Sequence, residues 1–153
     1  MGMNMFEREM LDAHLTLRKE VSQGSLLNQS INEPIVPLKS LDWDWRLVRS
    51  AQTSAKRCTV KPSEDLEEQV GENIALKRLR NPKAKGDAMI EDEGRSTVEL
   101  WARKLQRMSR IRYDIAGTTV NVAQMIRSDI TLIGCAFERC GDKFIVVVCH
   151  YSL

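Results

Sequence analysis

Two apolar segments near the C-terminus constrain the fold more than any other feature of the sequence. Residues Ile130–Phe137 and Lys143–Tyr151 are rich in β-branched and apolar side chains, and a polar stretch, ERCGD at 138–142, separates them. Such runs around a short turn with Gly and Asp are typical of a β-hairpin. Residues Phe144–Val148 are apolar at every position, which indicates a strand covered on both faces. The sequence therefore predicts a hairpin that lies between helical layers.

Apolar periodicity and capping signals predict the helices that form those layers. Residues Phe6–Glu20 carry apolar side chains at steps of three and four. Asp44 has the position of an N-cap for a second helix, which we expect to end at Lys61-Pro62. Ser96 and Glu99 form a capping box that predicts the start of another helix. Together with the hairpin, these elements predict an α+β protein, a three-layer α-β-α sandwich with a small antiparallel sheet.

Four segments lack such periodicity and are predicted to be loops. Residues 22–40 and 113–120 are punctuated by Gly or Pro. Residues 63–70 are acidic and polar, which indicates a solvated loop or a single helical turn. Residues 76–95 are charged and contain few core residues, so we interpret them as a solvated loop in preference to a binding patch.

Length and charge exclude several classes of protein. A chain of 153 residues is typical of one domain, which we place at 1–153. Its 23 Lys and Arg residues balance 21 Asp and Glu residues, so a basic face for nucleic acid is not expected. No apolar run reaches the roughly 18 residues that a transmembrane helix needs. The N-terminal sequence MGMNMFEREML lacks the basic and apolar regions of a signal peptide, and a chain complete at this end is expected to be cytoplasmic.

The four cysteines leave two redox states open. No CxxC pair is present, which argues against a structural zinc site. In an oxidising compartment we expect two disulfides, and in a reducing one we expect free thiols or metal ligands. The four residues are Cys58, Cys135, Cys140 and Cys149.

Five short motifs occur in order along most of the chain. They are His14-x-x-x-Arg18, Leu41-x-Trp43-Asp44 leading to Cys58, Gly71-Glu72-Asn73-Ile74-Ala75, Val98-x-x-Trp101, and Gln124 leading to Gly134-Cys135-x4-Cys140. No single motif is specific, but their order and spacing resemble the CAP superfamily of cysteine-rich secretory, venom allergen-like and plant pathogenesis-related proteins. The resemblance implies the same α-β-α sandwich.

The cysteines fit the resemblance independently. In the family, the second-helix cysteine pairs with the second cysteine of the Gly-Cys-x4-Cys motif, which implies Cys58–Cys140 here. The first cysteine of that motif pairs with the one in the last strand, which implies Cys135–Cys149. A third common bridge would join positions that Val70 and Ser152 occupy here, so no cysteine is left over. Two disulfides imply an extracellular, secreted protein.

The resemblance also locates a central cleft, which in the family carries two His and two Glu. Such a set can bind a divalent cation or act as acid and base. The matching positions here are Pro62, Glu72, Lys104 and Asn121. Neither Pro nor protonated Lys is a normal metal ligand, so we expect no metal, no cofactor and no catalytic residue. The cleft of this chain is therefore interpreted as degenerate and the protein as non-enzymatic.

Two interpretations of Glu72 are open. It forms an ion pair with Lys104, or it accepts hydrogen bonds from the backbone. The two histidines, His14 and His150, stand at other family positions, so neither is expected to replace a cleft residue without rearrangement. We expect structural roles for both, with His14 at the boundary of the core.

The resemblance implies a secreted venom allergen-like protein that binds a sterol, a fatty acid or an extracellular protein partner. The apolar stripes of the first helix and of the helix around Trp101 could leave a gap that takes an acyl chain. The alternative is an intracellular scaffold protein, without a signal peptide, whose cysteines stay reduced. A third class, a metal-dependent hydrolase, needs the cleft residues that this chain lacks. The family continues with Pro-x-Gly-Asn where this chain stops at Ser152-Leu153, so a shortened C-terminal tail is expected.

Overall fold

The computed structural model describes residues 2–27, 29–30, 38–107 and 121–153. The α-helices in these ranges are α1 at Met5–Ser22, α2 at Trp45–Ala55 and α3 at Glu93–Gln106. Two 3₁₀ helices span Gly86–Ile90 and Asn121–Ile126. The strands are β1 at Ser25–Leu26, β2 at Gln29–Ser30, β3 at Asp42–Trp43, β4 at Gly71–Arg78, β5 at Leu132–Arg139 and β6 at Phe144–Ser152. The loop predicted at 113–120, and residues 28 and 31–37 of the loop predicted at 22–40, lie outside the described residues.

The main sheet has the strand order β3-β5-β6-β4. β5 and β6 form the predicted antiparallel hairpin, and β4 pairs with β6 in antiparallel register. The two-residue β3 runs parallel to β5, unlike the other pairs of this sheet. β1 and β2 form a separate antiparallel pair inside the segment that we predicted as a loop at 22–40.

Strand β6 is the centre of the sandwich. Val146 and Val148 pack with Ala51 and Ala55 of α2, and the residues that alternate with them pack with α1 and α3. That second set is Ile145, Val147, Cys149 and Tyr151. Both sets are buried, which confirms that this strand is covered on its two faces and that the fold is an α-β-α sandwich.

Gly134 on β5 allows α2 to lie directly on the sheet. A Cβ atom at this position would lie 2.7 Å from the Asp44 carbonyl oxygen and closer still to the backbone nitrogen of Val48. Backbone atoms cannot move aside as a flexible side chain can, so this approach requires glycine. Asp44 caps the same end of α2 by accepting hydrogen bonds from the N–H groups of Arg46 and Leu47, which confirms the predicted N-cap.

The structure contains both disulfides that the resemblance implies. Cys58–Cys140 ties the segment after α2 to the end of β5, and Cys135–Cys149 joins directly paired residues of β5 and β6. α2 ends at Ala55, earlier than the predicted end at Lys61-Pro62. The chain turns there towards Cys58, whose left-handed backbone conformation, φ 52°, a helix cannot continue through.

α3 begins before the predicted capping box of Ser96 and Glu99. The cap of α3 is supplied by another helix, because the Glu9 carboxylate of α1 accepts hydrogen bonds from the N–H groups of Asp92 and Gly94, at 3.0 and 3.1 Å. The prediction is wrong because a tertiary contact satisfies these N–H groups, and no local pattern reveals such a contact.

The prediction of a solvated loop at residues 76–95 is wrong for both ends of the segment. β4 continues to Arg78, and a 3₁₀ helix and the first turn of α3 occupy the second half of the segment. Lys77 Nζ lies 3.0 Å from Oε1 of Glu93, whose side chain is fully buried. The two opposite charges neutralise each other, and this pairing explains how a segment rich in charge packs into the domain.

Candidate functional site

Glu72 is the centre of a polar cluster beneath α2. The register of β4 and β6 pairs Glu72 with His150, and His150 Nε2 lies 2.8 Å from Glu72 Oε2. Ser63 donates its backbone N–H to Oε1 at 2.9 Å and its hydroxyl to Oε2 at 2.6 Å. Burial alone raises the pKa of Glu72, but the hydrogen bonds from His150 and Ser63 outweigh it and lower the pKa to about 2. The carboxylate is therefore ionised at neutral pH.

Two serines of α2 complete this cluster. Ser50 Oγ lies 2.6 Å from His150 Nδ1, and Ser54 Oγ lies 2.7 Å from Ser63 Oγ. His150 is fully buried, and both of its ring nitrogens have partners. His150 occupies none of the four cleft positions, and we expected it not to replace a cleft residue without rearrangement. It does lie directly against Glu72, because the two residues are cross-strand neighbours.

The ion pair between Glu72 and Lys104 is not present in the described part of the chain, so that interpretation is wrong. Lys104 is exposed on α3, which packs on the opposite face of the sheet from α2 and the Glu72 cluster. The second interpretation of Glu72, that its carboxylate accepts hydrogen bonds from the backbone, is confirmed for one donor, the N–H of Ser63.

The remaining cleft positions do not complete a ligand set around Glu72. Pro62 is exposed and lies next to Ser63, while Asn121 begins the second 3₁₀ helix and its side chain is outside the described residues. Within the ranges that the structure describes, no group of three or more His, Cys, Asp and Glu side chains is arranged to hold a metal ion.

Ser50 and Ser54 were not predicted from the sequence to belong to this cluster. They are four residues apart on α2, a spacing that places both side chains on one face of a helix. This spacing could have indicated a polar stripe that faces the sheet, but its partner, His150, becomes apparent only from the strand register.

The order Ser50, His150, Glu72 resembles the hydrogen-bond chain of an acyl-transfer triad. Ser50 lines a cavity of about 290 Å³, but it lies in the middle of α2, where backbone N–H groups bond to carbonyls one turn earlier. Its position on α2 thus provides no helix N-terminus to stabilise an oxyanion. The Ser50 hydroxyl is also 3.1 Å from the Leu47 carbonyl oxygen, to which it donates. The hydrogen bonds of the cluster stabilise the buried charge of Glu72, and the position of Ser50 on α2 does not add an oxyanion site at a helix N-terminus.

His14 belongs to a second polar network, on the other face of the sheet. It is fully buried, deeper than the predicted core boundary, with Nδ1 2.7 Å from the Met10 carbonyl oxygen and Nε2 2.7 Å from the Tyr151 hydroxyl. Asn73 donates to the same hydroxyl at 3.1 Å. Burial lowers the pKa of His14 to about 4, against the opposing hydrogen bond with Met10. The imidazole is therefore neutral at neutral pH, with Nδ1 assigned as the donor to Met10.

Arg18 anchors α1 to the segment that precedes the hairpin. Its buried guanidinium donates hydrogen bonds to the backbone carbonyl oxygens of Lys39, Met125, Arg127 and Ile130, at distances from 2.6 to 3.3 Å. Burial lowers the pKa of Arg18 to about 10, so the side chain stays charged at neutral pH. Both residues of the motif His14-x-x-x-Arg18 are therefore buried and connect α1 to other parts of the domain by hydrogen bonds.

An apolar groove between α1 and α3 is the other candidate site. Its volume is about 330 Å³, which lies near the lower end of the roughly 300–1,000 Å³ common for small-molecule sites. Apolar side chains form the floor, and polar or charged side chains form the rim. The floor consists of Ala13, Leu17, Leu27, Val98 and Ala102, and the rim of Glu9, Asp12, Thr16, Glu20, Arg95 and Glu99.

The family of this protein follows from its similarity to known proteins. The chain matches the model of the cysteine-rich secretory protein family, CAP, over residues 11–151. This protein therefore belongs to the CAP family. No match was found among curated protein sequences. Within the described residues, none of the helices has the length and apolar character needed to cross a membrane.

Similar solved structures carry the same fold. Venom allergen-like protein 4 of Schistosoma mansoni is 24% identical, with a TM-score of 0.70, over 98% of this chain and 89% of that one. A hookworm platelet inhibitor is 21% identical, with a TM-score of 0.61, over 100% and 71% of the two chains. An Ancylostoma-secreted protein is 17% identical, with a TM-score of 0.64, again over 100% and 71%.

Proposed function

We propose that this CAP protein is a secreted, non-enzymatic binding protein that holds the apolar body of an amphiphile, an acyl chain or a sterol, between α1 and α3. The observation that carries the proposal is the groove of about 330 Å³ with its apolar floor. Leu17 and Val98 are buried at that floor, one from each helix. Ala13 and Ala102 have small side chains, which leave the space between the two helices unfilled.

Burial of an apolar chain on this floor favours binding. Each methylene group removed from water contributes about 0.8 kcal/mol. A chain with about ten buried methylenes therefore gains roughly 8 kcal/mol from burial. This gain offsets the entropic cost of association in part or in full, so the expected affinity is weaker than nanomolar.

Two further observations support a secreted protein without catalysis. Both disulfides are formed, as expected in an oxidising compartment, and one protein of the same fold is an Ancylostoma-secreted protein. Of the four cleft positions, Glu72 alone keeps a residue type of the family set, and its hydrogen bonds are directed to Ser63 and His150. We therefore propose that the cleft binds no metal and catalyses no reaction.

An extracellular protein partner is the second candidate. Leu76 of β4 and Phe144 of β6 are 43% and 42% exposed and point to the same face of the sheet, beyond the cover of α2. Large apolar side chains exposed side by side are typical of interaction surfaces. A folded protein that binds no amphiphile would favour this candidate.

Ala13→Phe is expected to weaken binding in the groove at least about tenfold, because the half-buried position faces the groove and the ring would occupy it. The measurement is a titration with the uncharged fluorescent probe N-phenyl-1-naphthylamine, whose emission rises in apolar sites. Lys104→Phe is the matched control, since it adds the same ring on the exposed face of α3 and should leave the titration unchanged. Equal binding by both variants would contradict the proposal.

A further inference from the structure

The rim of the α1–α3 groove carries an excess of negative charge. Its ionisable side chains are four carboxylates and one guanidinium. They are Glu9, Asp12, Glu20, Glu99 and Arg95. An apolar floor beneath a charged rim suits an amphiphile, and the charges on the rim decide which head group can lie there.

Two of these five groups are already engaged within the protein. Arg95 Nη2 lies 2.7 Å from Asp92 Oδ1, so the guanidinium has a carboxylate partner. The Glu9 carboxylate accepts hydrogen bonds from the N–H groups of Asp92 and Gly94, where the positive end of the α3 dipole offsets its charge. The charges of both groups are therefore offset within the protein, and the rim keeps a net negative charge.

Three carboxylates remain, and they come from both walls of the groove. Asp12 and Glu20 lie on α1, and Glu99 lies on α3. Within the described ranges, none of the three forms an ion pair with a basic side chain. The mouth of the groove is therefore negative on both sides.

We propose that the groove takes amphiphiles whose apolar chain ends in a cationic head group, a long-chain amine or a quaternary ammonium. This inference rests on the proposed function and narrows it, because the carboxylate of a fatty acid would face three like charges at the rim. Attraction between exposed charges is screened over a Debye length of about 10 Å at 0.1 M salt. The preference for a cation should therefore be strongest at low ionic strength.

The test compares three ligands that share one chain and differ in charge: dodecyltrimethylammonium, dodecanol and dodecanoate. Each competes with N-phenyl-1-naphthylamine for the wild-type protein at neutral pH, below its micellar concentration. We expect the ammonium ligand to displace the probe at a concentration at least about tenfold lower than dodecanoate, with dodecanol between them. Raising the ionic strength from about 20 mM to about 200 mM should reduce this ratio several-fold.

Asp12→Asn combined with Glu99→Gln removes two of the charges without changing the shape of the side chains. In this variant, which keeps Glu20, the preference for the ammonium over the carboxylate should fall several-fold, with each displacement referred to the probe affinity measured for the variant itself. Glu64→Gln with Glu67→Gln, at exposed positions outside the groove, is the control and should keep the wild-type ratio.

The outcomes separate this inference from the function on which it rests. Equal competition by the three ligands, or stronger competition by dodecanoate, with normal probe binding would overturn the head-group preference and leave the groove as an apolar site. Absence of probe binding by the folded wild-type protein would overturn both.

Discussion

Replacing Arg18 with Leu is expected to lower the free energy of unfolding by about 3–5 kcal/mol. Arg18 is 3% exposed, and its guanidinium donates to four backbone carbonyl oxygens, which the change leaves without this partner. A buried polar group left unpaired costs about 1–3 kcal/mol. The measurement is urea unfolding at neutral pH, followed by circular dichroism and extrapolated to water.

Arg8→Leu is the matched control for this prediction. Arg8 lies on the same helix and is exposed, so its loss should change the free energy of unfolding by no more than about 0.5 kcal/mol. An Arg18→Leu protein within about 1 kcal/mol of the wild type would mean that the carbonyl oxygens find other partners, and would contradict the anchoring role of this side chain.

The stability of the protein is expected to fall by about 3 kcal/mol between pH 6.5 and pH 4 because of His14. Its pKa is about 4 in the folded protein and about 6.5 in the unfolded chain. Between these values the unfolded state binds a proton that the buried imidazole does not accept, so the free energy of unfolding decreases by about 1.4 kcal/mol per pH unit. Well above pH 6.5 the imidazole is neutral in both states, and the residue makes no contribution to the pH dependence.

The His14→Gln variant isolates this effect, since it removes the titrating ring and keeps a polar side chain. The difference between the two unfolding curves, measured as a function of pH, cancels the contributions of the ionisable groups that both proteins keep. Glu72 contributes only at lower pH, because its depressed pKa makes its contribution disappear between about pH 4.5 and pH 2. A difference curve that is flat between pH 6.5 and pH 4.5 would show that His14 is not buried and neutral.

Local sequence patterns predicted the central hairpin and missed the strand beside it. The run Phe144–Val148 is apolar at every position, and this pattern fits a strand covered on both faces whatever its partners are. β4 contains Glu72, Lys77 and Arg78, so its charge content resembled that of a loop. The burial of Lys77 depends on Glu93, a residue in another element, and a pattern within one segment cannot reveal that contact.

The candidate sites show the same division between local and tertiary information. The resemblance predicted which position of the cleft keeps a carboxylate, Glu72, because that depends on a motif in the sequence. The contact of Glu72 with His150 depends on the register of two strands that are distant in the chain. Apolar stripes on α1 and α3 were visible as periodicity, but the width of the groove depends on how far apart the two helices pack.

The position of a bound apolar chain is the most direct test of binding between α1 and α3. Dodecanol that carries a diazirine in its chain is photolysed in complex with the protein, and the labelled peptides are identified by mass spectrometry. We expect adducts in the peptides that contain Met5–Ser22 and Glu93–Gln106, and excess unmodified dodecanol should suppress them. Adducts concentrated around Leu76 and Phe144, or labelling that excess dodecanol does not reduce, would contradict binding between α1 and α3.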